Sequence, residues 1–365
     1  MDVVALGESM VTFLPSRPGR LADVPSFDRA IGGAESNVAC ALAAFGHPAR
    51  WISRVGADGF GDHLVERIGG HGVDVSAVHR DPERPTGVYF RTAGDRGTGA
   101  HEVAYYRAGS AASAMSVRNV DLTAARAGRV LHLSGITAAL SGECRDLLRA
   151  LTARSAARPL VSFDVNHRPG LWRAAEGAAV LLELARGADI VFVGEDEAEE
   201  AWGATGGPAA VRQLLPEPAV LVVKEGARGA TAFAGEGETD AASHPLPPLA
   251  DGTPPAPGRT VRPRPAPAAF VPAPTVDVVA TTGAGDAFAA GFLSATLRGL
   301  PLRARLRHGH LFAAAALTTP GDLAAPPARH HADRLAALGD DAWGRLRLGP
   351  GWTQAEQAEE EANTP

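Results

Sequence analysis

A chain of 365 residues is long enough to bury a large core, as one big α/β domain or two smaller ones. Its formal net charge of −6 gives no global electrostatic reason to bind nucleic acid or a membrane surface. Lys224 is the only lysine among 35 basic residues; with abundant Ala, Gly and Pro, this reads as genome composition bias. Cys40 and Cys144 lie far apart in apolar contexts. They form no metal spacing or disulfide framework, which fits a reducing cytoplasm. The N-terminus has no basic region and no long apolar run, so neither a signal peptide nor a transmembrane helix is indicated.

In chain order, residues 2–7 predict a buried strand, and residues 11–30 are mixed, with turn residues Pro15, Pro18 and Gly19. Gly32-Gly33-Ala34-Glu35-Ser36-Asn37 opens a helix, Val38 to Phe45, ended by Gly46. Trp51 to Val55 predicts a strand, and the turn Gly56 to Gly61 leads into a helix through about Ile68. Within 84–110, Thr86–Arg91 and Glu102–Arg107 are rich in β-formers and are joined by a Gly-rich turn at 94–99. From about residue 120, short apolar runs without polar alternation (Val130–Leu133, Leu160–Asp164, Asp189–Val193, Ala219–Lys224) alternate with helical stretches. That is the pattern of parallel strands covered on both faces. Ligands of such sheets sit at the C-terminal strand ends, where Ser134, Asp164, Asn166, Arg168, Gly194 to Glu197 and Gly226 gather. Residues 240–275, dense in Pro and Gly, predict a mostly irregular surface insertion with room for one short strand. His330-His331 reads as a solvated pair, and the acidic tail from Gln354 as frayed.

The stretch Thr281-Thr282-Gly283-Ala284-Gly285-Asp286-Ala287-Phe288 precedes an apolar helical segment. A glycine-rich turn opening a helix exposes backbone N–H groups and the positive helix end, a ready anion site. Asp286 beside that site is placed either to favour the helix start or to take a proton from a substrate hydroxyl. Neither a P-loop nor a dinucleotide fingerprint is present, since Phe288 stands where the latter has its third glycine. Zinc signatures are also missing.

Three motifs in order resemble the ribokinase-like (PfkB) carbohydrate kinases: Gly32–Asn37, Val55-Gly56-Ala57-Asp58-Gly59-Phe60-Gly61, and Thr282–Phe288. The resemblance runs from about residue 2 to 335. It implies a three-layer α/β/α domain over 1–335 with a central mostly parallel sheet, a small β-sheet lid from about 11–30 and 84–110, and a C-terminal tail, 336–365. Within the family, Tyr105 to Ser113, Leu131 to Thr137 and Asp164 to Trp172 look most like 2-keto-3-deoxygluconate kinases. A sugar acid needs a charge complement, which arginine supplies as a planar fork. Arg107 and Arg168 are the candidates for its carboxylate. Carried over residue by residue, the resemblance implies that Gly33, Ala34 and Asn37 hold sugar hydroxyls and that Tyr89 and Tyr105 line the sugar pocket. Core packing is nearly as strong an alternative for Tyr105. Asp286 would be the catalytic base, with the Gly283, Ala284, Gly285 and Asp286 amides as anion hole. Asn166, Lys224, Gly226 and Gly229 would flank ATP, and Glu197 would organise Mg2+ through water.

Two positions depart from the family pattern. Gly194 stands where an asparagine precedes the magnesium-organising glutamate. Ala280 replaces an aspartate that commonly helps a monovalent-cation site, which puts potassium activation in doubt. The expected activity is ATP-dependent phosphorylation of the terminal (6-) hydroxyl of 2-keto-3-deoxygluconate by a cytoplasmic enzyme, a homo-oligomer through the lid. Open alternatives are a fructokinase, a ribokinase, a 2-keto-3-deoxygalactonate kinase or a non-catalytic sugar-binding regulator.

Overall fold

The first strand, β1 (Val3–Leu6), is four apolar residues fully buried on both faces. That is what a central strand sandwiched between helix layers requires. It belongs to a computed structural model that describes residues 1–17, 19–92, 102–155, 158–172, 176–235 and 268–354. After β1 come the antiparallel pair β2 (Met10–Pro15) and β3 (Phe27–Gly32), then α1 (Ala34–Ala44), β4 (Ala49–Ile52), β5 (Arg54–Gly56) and α2 (Gly59–Gly70). Asp58 caps α2, its Oδ1 accepting from the N–H groups of Phe60 and Gly61. The chain continues through β6 (His79–Asp81), β7 (Val88–Arg91), β8 (Val103–Tyr106) and α3 (Leu122–Ala125).

A regular alternation follows: β9 (Val130–Ser134), α4 (Gly135–Leu140), α5 (Gly142–Thr152), β10 (Leu160–Asp164), α6 (Glu176–Gly187), β11 (Ile190–Gly194), α7 (Glu195–Trp202), α8 (Gly207–Leu214) and β12 (Val220–Lys224). The hairpin strands β13 (Gly229–Ala234) and β14 (Ala268–Pro272) precede β15 (Thr275–Val276), α9 (Ala284–Leu297) and α10 (Leu302–Leu317). Last come α11 (Arg329–Ala336), α12 (Asp340–Gly344) and β16 (Arg347–Leu348).

The main sheet has the order β14-β13-β12-β11-β10-β9-β1-β4. Strands from β4 to β12 pair in parallel, and β13 and β14 close one edge antiparallel. Alternate residues feed two cores. Val3, Ala5, Phe192 and Val222 pack with α1, α9 and α10, while Val4, Leu6, Val193 and Leu221 pack with α5, α6 and α8. This is the three-layer α/β/α arrangement expected from the apolar runs. A second sheet, β3-β2-β7-β8, supplies the small lid-like layer.

Several local expectations change. The stretch Trp51–Val55 is two strands, because Ala49–Ile52 pairs with β1 at the main sheet's edge while Arg54–Gly56 turns away to pair with β6. Helix α1 starts at Ala34, four residues early; the extended Gly33 caps it and hides the polar first turn that reads as a loop. His331 is buried beside Trp352 instead of solvated. Chain beyond 335 still serves the core: Trp343 is buried, and its indole N–H donates to the Pro272 carbonyl (2.8 Å). The short strand allowed for in the Pro-rich stretch is β14. The rest of that stretch to residue 267, the turn at 94–99 and the tail beyond 354 lie outside the described residues.

Candidate active site

The site is assembled where two helix N-termini meet beyond the C-terminal ends of the sheet strands. Helix α1 starts at Gly33, whose backbone lies so close to Glu8 and Ser9 that any Cβ would collide with main chain. Helix α9 starts at Gly283, which adopts φ 77, a left-handed conformation that favours glycine. A Cβ there would also collide with the Asp322 carbonyl. Asp286 stands in the first turn of α9, and the Asn37 side-chain N–H donates to its Oδ2 (2.8 Å). This bond ties the two helix starts together across 249 residues of sequence.

Burial pushes the Asp286 carboxyl up to about 7. The Asn37 bond pulls against this, Asp164 adds to it, and Lys224 and Arg168 oppose it. At neutral pH it therefore exchanges a proton readily. In the first turn of α1, Glu35 is fully buried, and burial raises its carboxyl to about 8 although Thr137 donates to Oε1 (2.6 Å).

A cleft of about 1100 Å³ opens onto Asp286. Its roof is one face of the small sheet, and the pleat decides which side chains reach it. Met10 and Leu14 on β2, Tyr89 and Arg91 on β7, and Val103 and Tyr105 on β8 alternate toward the cleft. Phe13, Phe90 and Tyr106 point the other way, Phe13 stacking on Phe90 (4.7 Å between ring centroids). Tyr105 is 52% exposed and lies beside Tyr89, so it is a cleft residue and not a core residue. The floor is made by the strand ends. Asp164 closes β10 and Lys224 closes β12, and the Lys224 ammonium contacts both Asp164 oxygens at 3.1 Å. Attraction to Asp164 and Glu197 outweighs burial and keeps Lys224 charged. Asn166 holds φ 42, the one left-handed non-glycine among the described residues, and its buried Oδ1 has no partner there.

The cleft gathers the expected sugar-side residues Gly33, Ala34, Asn37, Tyr89, Tyr105, Arg107 and Arg168. It also gathers Asn166, Glu197, Lys224, Gly283, Gly285 and Asp286. Ala284, Gly226 and Gly229 do not line it. Gly226 and Gly229 shape the tight turn joining β12 to β13, where the Glu225 N–H donates to the Gly229 carbonyl (2.8 Å). Glu197 accepts from the Gly194 N–H (2.8 Å) through Oε2 and approaches Arg168 (3.4 Å) through Oε1.

Among the lining residues that escape a reading of the sequence are the charged Glu8, Arg91 and Asp322. Asp322 accepts from the Tyr89 hydroxyl and from Arg91 Nη2 (2.6 Å), and Glu8 pairs with Arg107. Glu8 follows strand β1 at its C-terminal end, so the strand-end rule that gathers Asp164 and Asn166 reaches it too. Nothing local marks Asp322, which lies in the loop after α10. Each cation of the cleft thus has a carboxylate partner: Arg91 with Asp322, Arg107 with Glu8, Arg168 with Glu197, Lys224 with Asp164.

Among the described residues, no group of three or more His, Cys, Asp and Glu could hold a metal by itself. The donor set fits Mg2+, which keeps several waters and takes one or two carboxylates beside a nucleotide's phosphates. No helix among them is long and apolar enough to cross a membrane.

A sequence model described as pfkB family carbohydrate kinase matches residues 1–248 and 267–329. The 2-dehydro-3-deoxygluconokinase of Bacillus subtilis (strain 168) is 33% identical over 93% of this chain and 95% of its own length. The enzyme of the same name from Thermoproteus tenax is 31% identical over 92% and 94%. A crystal structure of an uncharacterized sugar kinase from Pyrococcus horikoshii in complex with ATP superposes with a TM-score of 0.73 at 23% identity, covering 94% of this chain and 99% of that one, a likeness of fold.

Proposed function

Because the chain belongs to the pfkB family of carbohydrate kinases, we propose that it transfers the γ-phosphoryl group of ATP to the terminal, 6-hydroxyl of 2-keto-3-deoxygluconate. The observation that carries the reading is the convergence of Asp286, at a glycine-rich helix start, with Arg107 and Arg168 on one cleft. Arg107 Nε is buried without a partner among the described residues, so part of the guanidinium's donor capacity is left for a ligand. Arg168 is about half exposed and only 3.4 Å from Glu197, a loose contact that a substrate carboxylate can join or replace.

In the reaction, Asp286 takes the proton of the acceptor hydroxyl as its oxygen bonds to the γ-phosphorus. The bond to the leaving ADP breaks in the same displacement. The N–H groups of Gly283, Gly285 and Asp286 face the transferring group and neutralise its charge. The Lys224 ammonium, close to Gly285 as well as to Asp164, adds a positive charge on the same side. Tyr89 and Tyr105 cover the sugar, and Gly33, Ala34 and Asn37 meet its hydroxyls. Asn166, with the turn at Gly226 and Gly229, borders the nucleotide. Mg2+, when bound with ATP, spreads the charge of the phosphates; Glu197 orients its water shell.

A neutral hexose or pentose is the second reading, favoured by the carboxylate partner that each cleft cation carries. ADP release decides between them, measured over 2-keto-3-deoxygluconate, its C4 epimer, fructose and ribose, with and without potassium. We expect the sugar acids to be the best acceptors. Arg107→Ala should raise KM for them roughly 10- to 100-fold, the worth of a charge-assisted hydrogen bond, and leave neutral sugars much less affected. Equal effects on all acceptors would overturn the acid pocket, and silence across the panel would favour a sugar-binding regulator.

A further inference from the structure

Glu8 is the most deeply buried member of the cleft's four ion pairs. It sits in the three-residue step from β1 to β2, its side chain 1% exposed, where an apolar residue would avoid the cost of burying a carboxylate. Three separate segments are fitted to it. Ser110 Oγ donates to its Oε1 (2.6 Å), and the Arg107 guanidinium pairs with its Oε2. Gly87, just before β7, lacks the Cβ that would press on Glu8 Oε1 and on the Met10 side chain. The pair joins the main-sheet end of the cleft to the chain leaving β8.

We propose that Glu8 is a positioning residue that acts through Arg107, fixing its guanidinium in one pose over the sugar pocket and so setting the preference for acidic over neutral acceptors. The inference rests on the sugar-acid reading above. An arginine side chain loses substantial rotamer freedom when it grips a ligand. A buried partner that takes one terminal nitrogen removes that freedom before the ligand arrives, leaving the other terminal nitrogen to meet a carboxylate in the cleft. A pair that served stability alone would affect every acceptor equally when broken. A positioning pair affects only acceptors that Arg107 touches, and it does so in KM, since the clamp grips substrate and transition state alike.

The test is the ratio of kcat/KM for 2-keto-3-deoxygluconate to that for fructose, in wild type, Glu8→Gln, Arg107→Ala and the double variant. In Glu8→Gln the ratio should fall about tenfold, through KM for the acid, with kcat little changed. In the Arg107→Ala background the same substitution should change the ratio no further. Ser110→Ala, which loosens Glu8 without removing its charge, should lower the ratio in the same direction but less. It carries the test alone if Glu8→Gln does not fold. An unchanged ratio in both, or an effect of Glu8→Gln that persists without Arg107, overturns the proposal. If Arg107→Ala shifts the ratio and Glu8→Gln does not, only the role of Glu8 falls. If Arg107→Ala leaves it unchanged, the sugar-acid reading falls with it.

Discussion

Asp286 is a carboxylate held where ionised carboxylates are disfavoured, and its kinetics should show it. With burial lifting it to about 7, a base that must be unprotonated gives kcat/KM a rising acid limb with an apparent pKa near that value in the free enzyme. Asp286→Asn should lose roughly 10²- to 10⁴-fold in kcat with the melting temperature retained; an undiminished kcat would remove it from the chemistry. Glu35 makes a separate prediction about stability. Its folded value of about 8 lies above the ordinary 4.5. The folded protein therefore holds a proton that the unfolded chain releases between those values. The associated stability is full below about pH 4.5 and is lost as pH rises through 8, on the order of a few kcal/mol in all. Glu35→Gln has no such proton to lose, so its unfolding free energy should fall less than that of wild type between pH 5 and 8, as urea titrations at several pH values would show. Parallel pH profiles would mean that Glu35 does not titrate in this window.

At the scale of elements, the glycine turns are what the sequence made plain. Gly32-Gly33 and Gly283-Ala284-Gly285 announce helix starts because their chemistry is local. Gly283 needs its left-handed φ and its contact with the Asp322 backbone whatever the rest of the chain does. Gly283→Ala should therefore cost about 1–3 kcal/mol of stability and also distort the anion hole. Its kcat should drop at temperatures where circular dichroism still reports a folded protein; wild-type kcat would show that the turn tolerates the side chain. The strands β9 to β12 were legible for the same local reason, their ends shifting by a residue, whereas Trp51–Val55 divides into two strands and the short or edge strands β6, β13 and β16 carry no such signal. The pairs that cross the cleft were not legible. Arg91 finds Asp322 across 231 residues, and Ser110 finds Glu8 across 102. No period or motif encodes such a meeting, which exists only after the two sheets and the α10 loop have been brought together. The sequence marks Arg107 as a candidate clamp, and what folding adds is the buried acid attached to it.

Over the whole molecule, the two cores on either side of one sheet explain how a single chain carries so many loops on one rim. The alternation Val3, Ala5 against Val4, Leu6 anchors both helix layers, and every parallel strand of the main sheet (β1, β4 and β9 to β12) delivers its C-terminal end to the same side. The sheet's other limit, the β13–β14 hairpin, has a practical corollary. Phe233 and Ala268 are opposite one another on a single rung of that hairpin, so whatever joins them begins and ends at nearly one point. A connection of that kind can be shortened without dragging its anchors. Each halving of its length should recover about 0.6 kcal/mol of closure entropy. Replacing residues 236–267 with a four-residue Asn-Gly-type turn should give a protein that melts no lower and releases ADP at the parental rate. A trimmed protein that stays folded but turns over poorly would instead mark the excised proline-rich chain as an attendant of catalysis.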